Sequence, residues 1–179
     1  MSTLDRLESR LAIEDAITRY CRAVDRCDWD LLHTVYHPDA AIQHGPYTGD
    51  VAGFVEFVRA RRTGIRHTAH YLSNVLVDFT GPDTAVCEAY GWASQTFVPP
   101  SPFVPDGMAA TRITAMYRYV DRFERRAGRW AVAEGLLVTG ERQQQHYPDA
   151  PPDATAAVVQ APSLDDPLYC VLGKAGWVR

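Results

Sequence analysis

Apolar residues recur with a helical period through the first part of the chain. The positions that share one helical face are Ile13, Ile17, Tyr20 and Val24. Their spacing of i, i+4, i+7 and i+11 is typical of an amphipathic helix, with polar side chains between them. The pattern therefore predicts one long helix from Leu4 to about Cys27.

Two shorter helices are predicted next. Asp28 has the chemistry of a helix cap, and the short helix after it should end by Pro38, because the residue before a proline disfavours helix. Residues 40–44 are predicted to form a short strand. A helical apolar register across residues 50–61 predicts a third helix, with Gly64 as its stop.

The period of the pattern changes to two after residue 65. Alternation over residues 66–79 predicts a strand, and one of its faces carries Thr68, His70, Leu72, Asn74 and Leu76. Residues 84–98, 110–124 and 130–138 are rich in strand formers, and Ala127-Gly128 predicts a tight turn between the last two. Helices followed by long strands predict an α+β fold, with helices packed on one side of a curved antiparallel sheet.

Two proline-rich stretches do not fit this sheet. Residues 99–105 cannot pair in a sheet interior, so we predict a rim loop that is a candidate lid. From His146 onward the chain combines five prolines with apolar residues such as Tyr169 and Trp177. We therefore assign residues 1–145 to one domain and 146–179 to an extended tail that docks on its own or a neighbouring subunit.

Composition favours a soluble single-domain protein over membrane, secreted and disulfide-rich proteins. A chain of 179 residues with 46% hydrophobic residues suits one soluble domain, and no apolar run approaches a membrane span. The N-terminus lacks a signal-peptide core, so we expect a cytoplasmic location. The four cysteines show no C-x-x-C spacing, which argues against a zinc site or a disulfide framework.

Charge argues against a nucleic-acid partner, and the lack of a long apolar run argues against a membrane partner. The net charge is −4, and both signs are interspersed along the chain. The only basic cluster comprises Arg59, Arg61, Arg62 and Arg66, which we interpret as a solvated helix end. A small-molecule ligand is the expected partner.

Asp25 stands out among the carboxylates. It lies one residue past the apolar register of the first helix, and Asp28 can serve as the cap in its place. His70 lies on the apolar face of the first long strand. From spacing alone, Asp25 is compatible with a solvated helix end and His70 with a core histidine, so both interpretations stay open beside a catalytic one.

A family resemblance favours the catalytic interpretation. The string R-Y-x-x-A-x-D-x-x-D-W-D at residues 19–30, with three helices before a curved sheet, resembles the SnoaL-like branch of the nuclear-transport-factor-2-like superfamily over residues 3 to about 140. The layout is similar to the scytalone dehydratase, bile acid 7α-dehydratase and gamma-hexachlorocyclohexane dehydrochlorinase group. The resemblance implies a cone with an internal pocket and a cofactor-free Asp–His pair.

The same resemblance assigns expected roles. His70 would abstract a proton, Asp25 would orient it, and Tyr20 would donate a proton, with His44 as an alternative donor. Further substrate contacts are expected from His44, Asn74, Trp92, Tyr117 and Arg142. Relatives with this layout often form trimers through a C-terminal extension, so a homo-oligomer is expected, with a trimer favoured and a dimer possible.

Departures from the group limit the substrate. Tyr20 and Ile42 stand where the dehydrochlorinase has a lysine and a tryptophan, which makes chloride elimination less expected. Ala93 and Thr139 stand near the positions of an aspartate and an arginine in the bile acid enzyme, so a steroid substrate is not implied.

The other histidines do not form a metal motif. His67 and His70 are three apart on a strand and face opposite sides. His33 and His37 have a spacing of i, i+4 on the predicted second helix, but no acidic or cysteine partner lies with them, so we assign them to the surface or a subunit contact. No metal and no cofactor are predicted.

We therefore expect a dehydratase-like carbon–oxygen lyase acting on a small cyclic hydroxylated substrate. A cyclase or isomerase of polyketide or ketosteroid type could use the same pair. A non-catalytic binding module, or the small subunit of an aromatic-ring dioxygenase, is the alternative from a different class, since one fold serves many functions.

Overall fold

The computed structural model describes residues 1–149 and 159–176. Helices come first and long strands follow, as the periodicity predicts. The elements are α1 (Thr3–Arg26), α2 (Trp29–His33), β1 (Tyr36–His44), β2 (Tyr47–Gly49), α3 (Val51–Ala60), β3 (Ile65–Phe79), β4 (Thr84–Phe97), β5 (Ala110–Arg126), β6 (Arg129–Tyr147) and α4 (Pro167–Lys174).

The strands form one curved, unclosed sheet of six strands in the order β2-β1-β6-β5-β4-β3. Four of the five neighbouring pairs are antiparallel, while β1 and β6 are parallel. The expected fold class, an α+β cone, is confirmed. The sheet is mixed rather than purely antiparallel, because β1 runs parallel to its neighbour β6.

Polar caps fix the three N-terminal helices. The Ser2 hydroxyl accepts a hydrogen bond from the Asp5 amide at the start of α1, and the Asp28 carboxylate accepts one from Leu31 at the start of α2. Asp50 accepts from the Gly53 amide and begins α3. The predicted capping role of Asp28 is confirmed, so Asp25 is not the cap.

The core lies between the apolar helix faces and the inner face of the sheet. Ile13 and Val24 of α1, Phe54 of α3 and Phe123 of β5 are at most 1% exposed. Helices thus fill most of the cone, and the space left near the ends of α1 and α3 is where the site lies. Burying such large side chains contributes about 1.5–3 kcal/mol each.

The second helix is shorter than predicted. It ends at His33, and the next strand already begins at Tyr36, so Pro38 lies within β1 rather than at a helix end. The β1–β6 pairing shifts register between Tyr36 and Ala41, which lets a proline sit there. His37 is consequently not a surface helix residue, as it is buried and its Nε2 lies 2.9 Å from the Glu124 carbonyl oxygen.

A β-bulge interrupts the alternation predicted for β3. Asn74 adopts a positive φ of 48°, and the pairing with β4 shifts between Ser73 and Val75. The residues after the bulge therefore exchange faces: Val77 is buried, and Leu76, which was predicted to face inward, is 53% exposed.

The C-terminal strand and the tail differ from the prediction. β6 runs to Tyr147, well past residue 138 and two residues beyond the predicted domain boundary, and β2 was not predicted. The tail contains α4 and so is not simply extended. Trp177 lies outside the described residues.

The described part of the tail docks on its own chain. Asp166 pairs with Arg26 across 3.3 Å, and the Tyr169 hydroxyl donates to Asp28 across 2.7 Å. The Gln160 side-chain amide donates to the Thr68 carbonyl oxygen. The contacts join the tail to the end of α1 and to β3. Within the two described segments, no helix is at once long and apolar enough to cross a membrane.

Candidate active site

Asp25 and His70 are hydrogen-bonded to each other. His70 Nδ1 lies 2.5 Å from Asp25 Oδ1, and both side chains are less than 10% exposed. The His70 backbone amide donates to Asp25 Oδ2 across 2.8 Å, and the Thr68 hydroxyl donates to Oδ1 across 2.9 Å. Since Asp25 accepts at both oxygens, His70 carries its proton on Nδ1, and Nε2 is the acceptor.

The electrostatics of Asp25 favour its charged form. Burial by itself raises the pKa of Asp25, but hydrogen bonds from the His70 ring, the His70 backbone amide and the Thr68 hydroxyl outweigh burial and leave that pKa below its usual value. A carboxylate held in this way fixes the tautomer of an adjacent imidazole and stabilises its protonated form.

His70 opens onto a cavity of about 350 Å³. This volume falls in the range of small-molecule sites. The lining is mainly apolar and aromatic. It comprises Tyr20, His44, Gly45, Pro46, Phe57, Val58, Arg61, Arg62, His70, Ala93, Gln95, Phe97, Phe103, Ile113, Ala115, Tyr117, Tyr119, Leu137, Thr139 and Arg142.

Three tyrosines line the cavity beside the dyad. Their rings form a series in which Tyr20 and Tyr119 are 5.2 Å apart and Tyr119 and Tyr117 are 4.9 Å apart. Burial raises the pKa of Tyr20 and of Tyr117 well above the usual value. Both phenols are therefore neutral at ordinary pH and can donate a proton or a hydrogen bond.

The Tyr117 hydroxyl points to a ligand contact. It is buried, and among the described residues it has no hydrogen-bond partner of normal geometry. Its ring lies 6.3 Å from that of His70. A glycine opposite it is required, because a Cβ on Gly91 would come within 2.1 Å of the Tyr117 ring.

His44 also lies on the cavity wall, between Tyr20 and Phe54. Burial lowers the pKa of His44 to about 4, and the positive charges of Arg61 and Arg62 act in the same direction. His44 is thus neutral at ordinary pH, so it suits a hydrogen-bonding role better than that of a proton donor.

A second carboxyl lies behind the main cavity. Asp121 borders a chamber of about 20 Å³, shared with Tyr20, His44 and Tyr119, which has room for about one water molecule. Its Oδ1 accepts a hydrogen bond from the Leu136 amide across 3.1 Å. Burial raises the pKa of Asp121 to about 7 in spite of that bond.

Asp121 should make stability depend on pH. A carboxyl whose folded-state pKa is raised contributes stability below its unfolded pKa, and that contribution is lost as pH rises from about 4 to about 7. Asp121→Asn should therefore raise the melting temperature more at about pH 8 than at about pH 4. Thermal unfolding at both pH values measures this, and an equal shift at both would contradict the assignment.

Two expected substrate contacts lie away from the cavity. Asn74 is exposed at the β3 bulge, which turns it off the inner face. Trp92 packs on Tyr71 at 5.5 Å on the outer face of the sheet, because its neighbours Ala93 and Gln95 set the inward parity of β4. Neither residue contacts the site.

Other parts of the prediction do reach the cavity. Tyr20, His44, Tyr117 and Arg142 all line it. Phe103, from the 99–105 loop, lies on Phe97 with ring centroids 4.7 Å apart, so the loop covers one side of the cavity. Motion of this loop as a lid stays a prediction.

Several lining residues were not predicted. Arg61 and Arg62 were interpreted as a solvated helix end, but both border the cavity because α3 ends beside its opening. Tyr119 and Asp121 had a signal in the sequence, since every second residue of a strand lies on the same face. Tyr117, Tyr119, Asp121 and Phe123 therefore share one face of β5. Gln95 and Phe103 had no such signal.

No metal centre is indicated in the described segments. Among those residues, no three His, Cys, Asp or Glu side chains come together in a metal-binding group. His67 is exposed on the face of β3 opposite to His70, as predicted. The four cysteines are free thiols.

Comparison with known families gives one match. The SnoaL-like domain family matches residues 5–134. A search of curated protein sequences found no significant match.

Comparison with solved structures gives the same fold. A type 2 hexachlorocyclohexane dehydrochlorinase superposes with a TM-score of 0.71 at 22% identity, covering 86% of this chain and 100% of that one. A scytalone dehydratase-like protein of Novosphingobium aromaticivorans gives a TM-score of 0.69 at 20% identity, covering 87% and 99%. A third protein, from the same organism and named for aromatic ring hydroxylases, gives 0.64 at 26% identity, covering 78% and 94%.

Proposed function

This chain belongs to the SnoaL-like domain family, and from that premise we propose that it is a cofactor-independent dehydratase acting on a small cyclic hydroxylated substrate. The observation that carries the proposal is the hydrogen bond of 2.5 Å between His70 Nδ1 and Asp25 Oδ1 at the wall of a cavity of about 350 Å³. The dehydrochlorinase and the scytalone dehydratase-like protein are named for elimination reactions, which supports the same class.

His70 is the proposed base. Its Nε2 takes a proton from a carbon next to a carbonyl group of the substrate, and the electrons of that C–H bond form an enolate. Histidine suits this step because its ordinary pKa lies near neutral pH. Asp25 holds the other nitrogen protonated and stabilises the imidazolium as it forms.

Departure of the hydroxyl group requires a proton. Tyr20 was the expected donor, and Tyr117 is a second phenol on the cavity wall, whose hydroxyl has no hydrogen-bond partner of normal geometry among the described residues. Either can protonate the leaving oxygen as the carbon–oxygen bond breaks, and the His70 proton then returns to the phenolate. Water and a conjugated product leave, with no change in oxidation state.

Product mass tests the reaction type. Cyclic β-hydroxy ketones, incubated with the purified protein, should lose the mass of one water and gain the ultraviolet absorbance of a conjugated ketone. Mass spectrometry and absorbance measure these two changes. A rearranged product of unchanged mass would contradict dehydration and favour the isomerase or cyclase alternative, which shares the enolate step.

A non-catalytic role is the second candidate. It is supported by the third structural relative, which is named for aromatic ring hydroxylases, a class with small structural subunits of this fold. Such a subunit has no use for a paired base beside a cavity, and for that reason we favour the lyase.

Assembly and location stay proposals. We infer a homo-oligomer, with a trimer favoured, and light scattering of the purified protein would refute this if it gave a monomer. In support, the outer face of the sheet exposes large apolar side chains on three adjacent strands: Tyr71, Tyr90, Trp92 and Met116. The cytoplasmic location likewise stays a prediction.

A further inference from the structure

Three arginines border the solvent end of the cavity. Arg61 and Arg62 follow the last turn of α3, and Arg142 comes from β6. The α3 pair and Arg142 therefore face a common space from two elements. Arg61 and Arg142 are exposed to solvent, whereas Arg62 is half-buried.

Within residues 1–149 and 159–176, these three arginines lack the acidic partners that other arginines have. Arg118, Arg122, Arg125 and Arg126 each contact a carboxylate within ion-pair distance. Among the described residues, no carboxylate lies within that distance of the three cavity arginines. Within the described part of the chain, Arg142 donates only to the Gln144 side-chain oxygen, across 3.1 Å.

Arg62 has an unused donor. Its Nη1 lies 3.4 Å from the Thr68 hydroxyl, but its Nε is buried and has no partner in the part of the chain that the structure describes. A buried guanidinium nitrogen without an acceptor is costly, so an acceptor supplied by a ligand would be favoured.

Aromatic rings hold Arg61 in place. Its guanidinium carbon lies 4.8 Å from the ring centre of Phe103 and 5.3 Å from that of Phe57. Stacking leaves the edge of the guanidinium free to donate. Burial and the neighbouring charges of Arg142 and Arg62 lower the pKa of Arg61, which shows how closely the three positive charges act on one another.

We propose that the cavity binds a substrate that carries a carboxylate, seated between Arg61, Arg62 and Arg142, with its ring directed toward His70. A guanidinium matches a planar carboxylate through two parallel hydrogen bonds. The apolar wall beyond the arginines, formed by Phe97, Ile113 and Leu137, suits a ring. The description of this ligand as a substrate rests on the proposed lyase function. The binding of a carboxylate at the three arginines does not depend on that function.

The charge arrangement selects against neutral ligands. The chain as a whole is acidic, with a net charge of −4, yet its cavity opening has three positive charges and no paired carboxylate among the described residues. Such an opening raises the local concentration of anions, an effect that weakens as salt screens it.

Two matched probes test the proposal. 2-Naphthoate carries a carboxylate on an aromatic body, and 2-naphthamide has the same shape without the charge. Calorimetry on the full-length protein should give roughly ten- to hundredfold tighter binding of 2-naphthoate, as expected for one or two charge-assisted hydrogen bonds.

Variants locate the effect. Arg142→Gln and Arg61→Gln should each reduce the preference for 2-naphthoate to less than a third of its wild-type value. Arg59→Gln is the matched control, because Arg59 pairs with Glu56 and stacks on Trp29 outside the cavity. Equal binding of the two probes, failure of the wild-type protein to bind 2-naphthoate, or an unchanged preference in both cavity variants would overturn the proposal.

The same titrations separate this site from the lyase. His70→Asn should keep the preference for 2-naphthoate, since His70 makes none of the proposed carboxylate contacts. If the preference is absent while the protein dehydrates its substrate, the anion site is wrong and the lyase stands. If 2-naphthoate is preferred over 2-naphthamide while none of the cyclic β-hydroxy ketones is dehydrated, the lyase is wrong and the anion site stands.

Discussion

His70→Asn should lower kcat by roughly 10²- to 10⁴-fold, as expected for removal of a positioned base. The Asn side-chain amide can take the place of the Nδ1–H group and still donate to Asp25 Oδ1. The substitution therefore keeps the buried carboxylate partnered while it removes Nε2, the atom that would accept the proton. Steady-state kinetics on a dehydrated substrate measure the loss.

His67→Asn is the matched control. His67 lies on the same strand but is exposed on the opposite face, so kcat should stay within about twofold of wild type. Exogenous imidazole should restore part of the activity of a His70→Gly variant. Full turnover by His70→Asn with an unchanged melting temperature would remove His70 from the mechanism.

Asp25→Asn should affect both activity and stability. Asp25 accepts three hydrogen bonds, and an Asn has only one oxygen to offer while its amide group meets the remaining donors. The conflict should cost about 1–3 kcal/mol of unfolding free energy. If the amide turns toward His70 Nδ1, it forces the proton onto Nε2, and kcat should fall by roughly 10²–10⁴.

Asp28→Asn separates the two effects. Asp28 is buried to a similar degree and accepts from Leu31 and Tyr169, but it does not line the cavity. The Asp28→Asn protein should therefore be less stable than wild type and have an unchanged kcat. An Asp25→Asn protein with normal kcat would show that the carboxylate only supports the fold.

The pH dependence of stability gives a second measurement on Asp25. Because its folded-state pKa is depressed, its contribution is present above the ordinary pKa of the carboxyl and is lost as pH falls through the lower folded value. Acid unfolding of wild type should thus be steeper below about pH 4 than that of Asp25→Asn.

Periodicity predicted much of the fold because most elements here have one buried face. The apolar positions of α1, α3 and β3–β5 carry their period in the sequence. The parallel pairing of β1 with β6 and the strand at His37 were missed, because a proline in an irregular strand looks like a helix end. Pairing between distant segments leaves no local signal.

The candidate site could be predicted where a residue's face could be deduced. Strand parity and the family resemblance together predicted His70 and Tyr117 on the inner face. Asp25 lies one residue past the apolar register of its helix, so only the resemblance predicted its place beside His70. The structure does not place Asn74 at the cavity, because its left-handed conformation forms a bulge that shifts the parity of the strand from this residue onward. Arg61 and Arg62 were not predicted to line the cavity because charge at a helix end is ordinarily solvated, and only the fold shows that α3 ends beside the cavity.

The tail contacts connect the two segments that carry Asp25 and His70. Gln160 binds the Thr68 carbonyl two residues before His70, and Asp166 and Tyr169 bind Arg26 and Asp28 on either side of the α1 end that holds Asp25. None of Arg26, Asp28 and Thr68 lines the cavity. The tail therefore joins the segment that carries Asp25 to the strand that carries His70 without entering the cavity beside them.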